Sequence, residues 1–269
     1  MENNNSSESI DRPLIKIFWT GGWDSTFRVI SLANKNVVIR PYFVIMYSEE
    51  QSSYELKSMI SIAQALRSID STNCILEDPI IVNRSDVEPN PKITESYNNL
   101  YKKYRVPNQY EVLARIAENH QGMELGIERD GGTYKLMKKY GKLKYISDEM
   151  GGYHILDPAL SDRELLNLFG FYRFPILEKS KIEMRKEAEA MGMIEIMNKT
   201  WFCRHPVNNK PCGFCSPCRQ AIFKGMKYRF SSDALKRGRI KRLFYLLMYK
   251  LMIKNIVHGI DRIVKNIKY

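Results

Sequence analysis

Four of the five cysteines of this 269-residue chain, Cys203, Cys212, Cys215 and Cys218, fall within one short stretch, and no other feature limits the fold so sharply. Their spacing is Cys-x8-Cys-x2-Cys-x2-Cys, with Gly213 and Pro217 supplying bends between them. Four thiolates set this way can close a tetrahedral shell around one Zn²⁺ at about 2.3 Å per sulfur, leaving no position for water, so such a metal is structural. Two disulfides, or cysteines scattered through a core, are the other arrangements these residues allow. His205 lies inside the same loop and is expected to orient it, since four sulfurs already suffice. Cys74 stands apart in a strand-like stretch and reads as a small core residue.

The first eleven residues are polar and read as a disordered leader with no secretory signal. No apolar run approaches the roughly 20 residues of a membrane span. Clustered free thiols then point to a reducing, cytoplasmic compartment. The net charge of +12 is unevenly distributed. Thirteen Lys and Arg from Lys224 onward face only Asp233 and Asp261, so the last segment holds +11 of the +12. The body is nearly neutral and the tail carries the charge.

The body alternates strands and helices. Leu14–Trp19 and Val37–Met46 are apolar and strand-like, the second rich in β-branched residues as a strand buried on both faces requires. Cys74–Leu76 and Ile80–Val82 offer a third strand. Helical spacing is expected at Ser25–Ala33, Tyr54–Ile69, Tyr110–Asn119, Asp162–Leu168 and Lys179–Met191. This order predicts an α/β fold, a parallel sheet with helices on both faces. Residues 84–107 and 128–160 read as loop-rich.

Ligands of open α/β sheets bind beyond the carboxyl ends of the strands. After the first strand stands Thr20-Gly21-Gly22-Trp23-Asp24-Ser25-Thr26. Two glycines let backbone amides approach an anion, the following helix start favours phosphate, and the hydroxyls of Thr20, Ser25 and Thr26 add donors. Asp24 suits a helix cap or a metal ion. The turn lacks the Gly-Lys-Ser/Thr ending of a Walker A loop and is no G-x-G-x-x-G dinucleotide turn. On these residues alone, an ordinary strand-to-helix turn remains an equal reading.

The turn resembles the PP-loop, Ser-Gly-Gly-x-Asp-Ser, of the N-type ATP pyrophosphatases, with Thr20 keeping the hydroxyl of the first serine. Joined to the cysteine cluster, it resembles the 7-cyano-7-deazaguanine synthase family of queuosine biosynthesis. Phe174-Pro-Ile-Leu-Glu-Lys179-Ser-Lys181-Ile182, Asn198-Lys-Thr200-Trp-Phe-Cys203 and Val106-Pro107-Asn-Gln-Tyr110 resemble further segments of that family, so the likeness covers roughly residues 14–223. It implies an adenine nucleotide alpha hydrolase-like fold and an ATP-dependent C–N ligase. Such an enzyme adenylates the carboxylate of a 7-deazaguanine, lets ammonia displace AMP to give the amide, then activates the amide and eliminates to the nitrile. ATP, Mg²⁺ and a structural Zn²⁺ are the implied cofactors. The implied nucleotide-binding residues are Trp19, Thr20, Gly21, Gly22, Trp23, Asp24, Ser25 and Thr26; the implied catalytic ones are Asp24, Ser25 and Lys179. For Lys179 a solvated lysine at a helix start is the other reading, and Arg219 has no specific match. Glu124, Glu128, Arg129 and Asp130 lie where the family has an acidic loop that meets the base, and a surface loop of solvated charges is as good a reading there. His154 and Asp157 form a candidate polar pair.

Two departures bear on the substrate. Tyr47-Ser-Glu-Glu-Gln-Ser-Ser-Tyr54 lacks the family's arginine and histidine, and Gln109-Tyr110 replaces an arginine-asparagine pair. Arginine is the usual bidentate partner of a carboxylate, so the acceptor does not follow from the likeness. The alternative is a divergent relative that passes an activated acyl group to a different amine, on a protein or other macromolecule. A non-catalytic zinc-stapled nucleic-acid-binding protein conflicts with the intact glycine turn. A tRNA-thiolating enzyme calls for a cysteine pair beyond any metal site, and only Cys74 remains. The expected organisation is a leader (1–12), an ATP-binding α/β domain (13–200), a four-cysteine zinc-binding subdomain (201–223) and a basic helical tail (224–269). The tail, with Lys236-Arg-Gly-Arg-Ile-Lys-Arg242 as a basic head, reads as one helix over Leu235–Tyr269 that meets the body, a second copy in a homodimer, an anionic membrane surface or nucleic acid.

Overall fold

The computed structural model describes residues 12–46 and 48–248. They divide into two compact units, one up to Trp201 and one from Phe202 onward. The first unit begins with β1 (Leu14–Phe18), α1 (Trp23–Ser31), β2 (Val38–Ile45) and α2 (Glu49–Arg67). It continues through β3 (Ile75–Leu76), β4 (Ile80–Asn83), α3 (Pro91–Tyr104), α4 (Gln109–Glu118) and β5 (Met123–Glu124). Then come α5 (Gly132–Tyr140), β6 (Leu143–Ile146), β7 (Tyr153–Leu156), α6 (Arg163–Phe169), β8 (Tyr172–Arg173), α7 (Lys181–Ala190) and α8 (Ile194–Asn198).

The sheet runs β3-β2-β1-β5-β8, with β4 also on β2, and every pairing in it is parallel. β3 pairs with the start of β2 and β4 with its end, so together they act as one broken outer strand. The α/β expectation is met: parallel strands need crossovers, and the helices cover both faces. Side-chain alternation divides the core. Ile17, Trp19, Ile39 and Phe43 point to one face, while Phe18, Tyr42 and Val44 join Ile93, Leu100, Val112, Leu168 and Phe169 of α3, α4 and α6 on the other. β6 and β7 form a separate antiparallel hairpin.

Two stretches expected to be loop-rich are ordered. Residues 84–107 contain α3, because Asn90 caps its first turn (Asn90 Oδ1 accepts from the Ile93 amide at 3.2 Å), Pro91 sits in that turn, and Arg105 closes it in a left-handed conformation. Residues 128–160 contain α5 and the β6–β7 hairpin. Helix α7 starts at Lys181, two residues later than its periodicity suggested, because Ser180 and Glu183 form a capping box. Hydrogen bonds from the Ser180 amide and hydroxyl and from Arg129 hold the Glu183 carboxyl down at about 2. Ser180→Ala is expected to cost about 1 kcal/mol of stability in urea titrations, the usual worth of an N-cap hydroxyl.

In the second unit, α9 (Ser216–Phe223) follows the last two cysteines and a helix occupies residues 232–248. The helix sits hard against the cysteine loop: a Cβ on Gly213 would lie 2.0 Å from the Ala234 carbonyl oxygen, and one on Gly238 would lie 2.4 Å from that of Gly213. Only glycine permits that approach, and Gly213 also has φ +84°. The part of the expected tail helix beyond residue 248 lies outside the described residues.

Candidate functional site

The chain order reverses direction between β1 and β5: β2, β3 and β4 lie to one side of β1, while β5 and β8 lie to the other. Such a switch point opens a crevice at the carboxyl edge of the sheet, and ligands of doubly wound folds bind there. Thr20–Asp24 leaves β1 at that edge, and Leu125–Gly131 leaves β5 beside it. The two segments touch, since a Cβ on Gly126 would come within 3.1 Å of the Ser25 amide nitrogen.

The turn is held from behind. Gly21 has φ +63°, and a side chain there would strike Ser58 and the Glu55 carbonyl. Ser58 Oγ donates to the Gly21 and Lys199 carbonyls at 3.2 and 2.8 Å. The Trp201 amide donates to the Gly21 carbonyl at 2.9 Å, and the Trp201 ring stacks on Tyr54 at 4.9 Å. Trp19 is buried, and its indole donates to Thr26 Oγ1 at 2.9 Å. Thr26 is therefore a core residue fastening β1 to α1, and its hydroxyl lies inside. Trp23 is buried too, whereas Thr20 is exposed and Gly22, Asp24 and Ser25 are partly so. Gly22 is the N-cap of α1 and offers no side-chain acceptor, so no cap side chain occupies the first amides of the helix.

Asp24 projects from the first turn of α1 and forms an ion pair with Lys181, the first residue of α7. Two helix N-termini thus converge on one carboxylate and one ammonium. A lysine at the positive end of a helix is disfavoured by the dipole, and Asp24 offsets it. Lys179, the lysine the sequence points to, pairs its Nζ with Glu187 at 2.6 Å and holds it 5.9 Å from the centre of the ring of Phe27 on α1. The side chain that meets Asp24 is that of Lys181, two residues further on. The Ser180-x-x-Glu183 capping signature is the signal that would have placed Lys181 at the helix start.

The loop after β5 is built in, not free. Arg129 donates from its amide to the Lys179 carbonyl at 3.0 Å and from its guanidinium to the Glu178 carbonyl and the Glu183 carboxylate at 3.1 and 2.8 Å. Glu128 is buried and accepts from the Asp130 amide at 2.8 Å. Glu124 is engaged by Arg28, which donates to its two oxygens at 2.7 and 2.6 Å; both side chains are about 95% buried, and Arg28 also donates to the Met150 carbonyl. Tyr110 is buried against Phe169, with its hydroxyl 3.3 Å from Thr133 Oγ1. Burial pushes its phenol upward, and the charges of Asp24 and Glu128 add to the shift. His154 and Asp157 do not pair. His154 is lowered by burial and packs on Tyr145, while Asp157 accepts from the Ala159 amide. Tyr47 lies outside the described residues.

In the second unit the four cysteine sulfurs are buried and all lie within 4.8 Å of one another, so they could hold a metal ion. The Cys212 and Cys218 sulfurs are 3.7 Å apart. Sulfurs about 2.3 Å from one tetrahedral ion stand about 3.8 Å apart. Backbone amides of Cys212, Phe214 and Cys215 donate to these sulfurs at 3.2 to 3.4 Å, as they do around metal-bound thiolates. The four are free thiols, so neither disulfide pairing is present. Hydrogen bonds among the sulfurs raise the thiols of Cys203 and Cys218 and lower that of Cys215, their acceptor. Thiols bind a metal as thiolates and so release protons on loading, and metal affinity is expected to fall as pH falls, measurable by competition with a chromophoric chelator. Cys74 is half-buried and distant in sequence, its thiol raised by burial.

No protein-family model matches this sequence, and no curated protein matches it. Among solved structures the chain is similar to the U34-tRNA thiolase NcsA from Methanococcus maripaludis with its 4Fe-4S cluster, at 13% identity and a TM-score of 0.40 over 86% of this chain and 71% of that one. A likeness of that degree leaves the reading of this chain to its own geometry. No helix among the described residues is long and apolar enough to cross a membrane.

Proposed function

We propose that the chain is an ATP-dependent ligase of the PP-loop type that adenylates a carboxylate and passes the acyl group to an amine, releasing AMP. One observation carries this reading: at the switch point of a parallel sheet, a Gly-Gly turn and two helix N-termini surround Lys181 and its counter-ion Asp24. Amides, dipoles and an ammonium all favour a phosphate chain there. Lys181 is poised to exchange Asp24 for the pyrophosphate that leaves, and Asp24 is then the carboxylate available to Mg²⁺, which would screen phosphate charge when bound.

The chemistry balances in two steps. A carboxylate oxygen attacks the α-phosphorus of ATP and pyrophosphate departs, leaving an acyl adenylate. An amine nitrogen then attacks the acyl carbon, AMP departs and a proton is lost. The turn and the cysteine spacing together favour a 7-deazaguanine carboxylate as acceptor and ammonia as amine, with a second round of activation taking the amide to the nitrile. The absent cationic positions favour a second reading: where the family has an arginine-asparagine pair this chain has Gln109 and Tyr110, and an activated acyl group handed to another amine is the alternative.

Zn²⁺ is the metal we assign to Cys203, Cys212, Cys215 and Cys218, because four soft thiolates at single-ion separations suit it. Metal analysis is expected to return one zinc per chain. Chelation is expected to expose the amides of residues 202–248 to hydrogen exchange. Iron in place of zinc, or no loss of protection, would refute this assignment.

The test of function is incubation with ATP, 7-carboxy-7-deazaguanine and ammonium, read by mass spectrometry. Nitrile or amide together with AMP supports the ligase reading, and Asp24→Ala is expected to abolish both. Acyl adenylate that ammonium does not consume points to the other amine. AMP formation that persists in Asp24→Ala would remove the turn from the account.

A further inference from the structure

The second unit carries two features that the ligase reading leaves unused, and both lie within residues 202–248. The first is charge: this stretch holds eleven Lys and Arg against Asp233 alone. Five of those cations, Arg219, Lys224, Lys227, Arg239 and Arg242, line a cleft of about 710 Å³ between α9 and the helix over residues 232–248, and no acidic residue lines it. Phe223 stands at the same cleft with 91% of its surface exposed. A Zn²⁺ held by four thiolates would contribute only −2 to this field. A cleft of like charges is unfavourable when empty and suits a phosphate-bearing ligand.

The second feature is the far end of the helix. Its base is fastened to the cysteine loop by Gly238 on Gly213, by the Arg237 guanidinium donating to the Cys212 carbonyl at 3.4 Å, and by Lys241 over the Phe214 ring at 3.9 Å. Beyond it, Leu243, Phe244, Tyr245, Leu246, Leu247 and Met248 are consecutive and each is 49–66% exposed. Six consecutive helical positions go all round the axis, so this turn and a half is apolar on every side. Such a helix belongs in an apolar medium, and a groove that buries one stripe would leave the rest in water.

We propose that this unit is a membrane-surface anchor: the cationic cleft takes the phosphate headgroups of acidic lipids, and the apolar helix end with Phe223 enters the outer acyl region. Lys and Arg at the base stay at headgroup level while their stems cover apolar surface. The anchor lies on the bilayer and does not cross it, consistent with the shortness of the apolar run. A second copy of the chain is a poorer occupant, because a symmetric pairing brings the same cations together, whereas an anionic bilayer neutralises them while burying every side of the helix.

Flotation of the full chain with vesicles tests this. Binding to phosphatidylcholine vesicles containing phosphatidylglycerol, and much weaker binding to phosphatidylcholine alone, is expected at physiological ionic strength. Arg239→Gln with Arg242→Gln should lower partitioning about 30-fold, at roughly 1 kcal/mol per cation near the surface. Leu243→Asp with Leu247→Asp should abolish it while leaving the metal content and helical circular dichroism of the chain unchanged. Equal binding to both kinds of vesicle, or a leucine variant that floats like the parent, would overturn the proposal. So would vesicles that fail to bind while the chain retains single-stranded RNA, or while it sediments as a dimer that the leucine substitutions dissolve.

Discussion

Glu124→Ala is expected to destabilise the first unit by roughly 3–5 kcal/mol, the usual result of removing one partner from a buried ion pair. The alanine strands the Arg28 guanidinium, whose side chain is 5% exposed and whose remaining protein acceptor is the Met150 carbonyl. The pair joins α1, which follows directly on the glycine turn, to β5, whose following loop lies against the start of α1, so the loss should loosen the site as well as the fold. The double replacement Arg28→Met with Glu124→Leu is expected to recover most of the loss, since well-packed apolar groups often substitute for a buried pair without cost. Urea unfolding of the four proteins measures both effects. A loss below about 1 kcal/mol for Glu124→Ala, the range of exposed pairs, would show that the pair is hydrated.

Lys181→Ala is expected to lower AMP formation by about 10²–10³-fold, the usual consequence of deleting one preorganised charge or donor that faces the transition state. Lys179→Ala should change it only a few-fold, because that side chain pairs with Glu187 on the surface of α7. The two lysines are two residues apart in sequence and face different partners, so the comparison separates a role at the turn from a general effect of basic charge. Lys181→Arg distinguishes position from charge: a guanidinium keeps the charge but alters the geometry, and partial activity is expected. If Lys179→Ala lost the activity and Lys181→Ala kept it, the pairing with Asp24 would have no catalytic meaning.

Much of this was legible in the residues. The strand–helix order predicted the parallel sheet, because apolar β-branched runs between periodic segments have few other ways to bury themselves. The cysteine spacing predicted four sulfurs within reach of one ion. What could not be read is instructive in physical terms. Asn90-Pro91 serves equally as a loop breaker and as a cap followed by the first helical residue, and only the packing of Ile93 and Leu100 into the core decides for α3. Gly131-Gly132 likewise opens α5 where it suggested a loop. Lys181 was hidden because helical periodicity locates a helix but not its first residue; the capping box does that. Glu124 reads as available to a ligand because nothing local in its sequence reveals Arg28, nearly a hundred positions earlier and one strand away.

Attack of a carboxylate on the α-phosphorus of ATP is read without any acceptor amine by carboxylate-dependent exchange of labelled pyrophosphate into ATP. The exchange needs only the first, reversible step and so does not depend on which amine is the acceptor. Exchange is expected with 7-carboxy-7-deazaguanine or a related carboxylate, little without it, none with Asp24→Ala, and exchange about 10²–10³-fold slower with Lys181→Ala. No exchange with any deazaguanine or other carboxylate, alongside a folded and metal-loaded chain, would contradict the ligase reading, as would ADP in place of AMP.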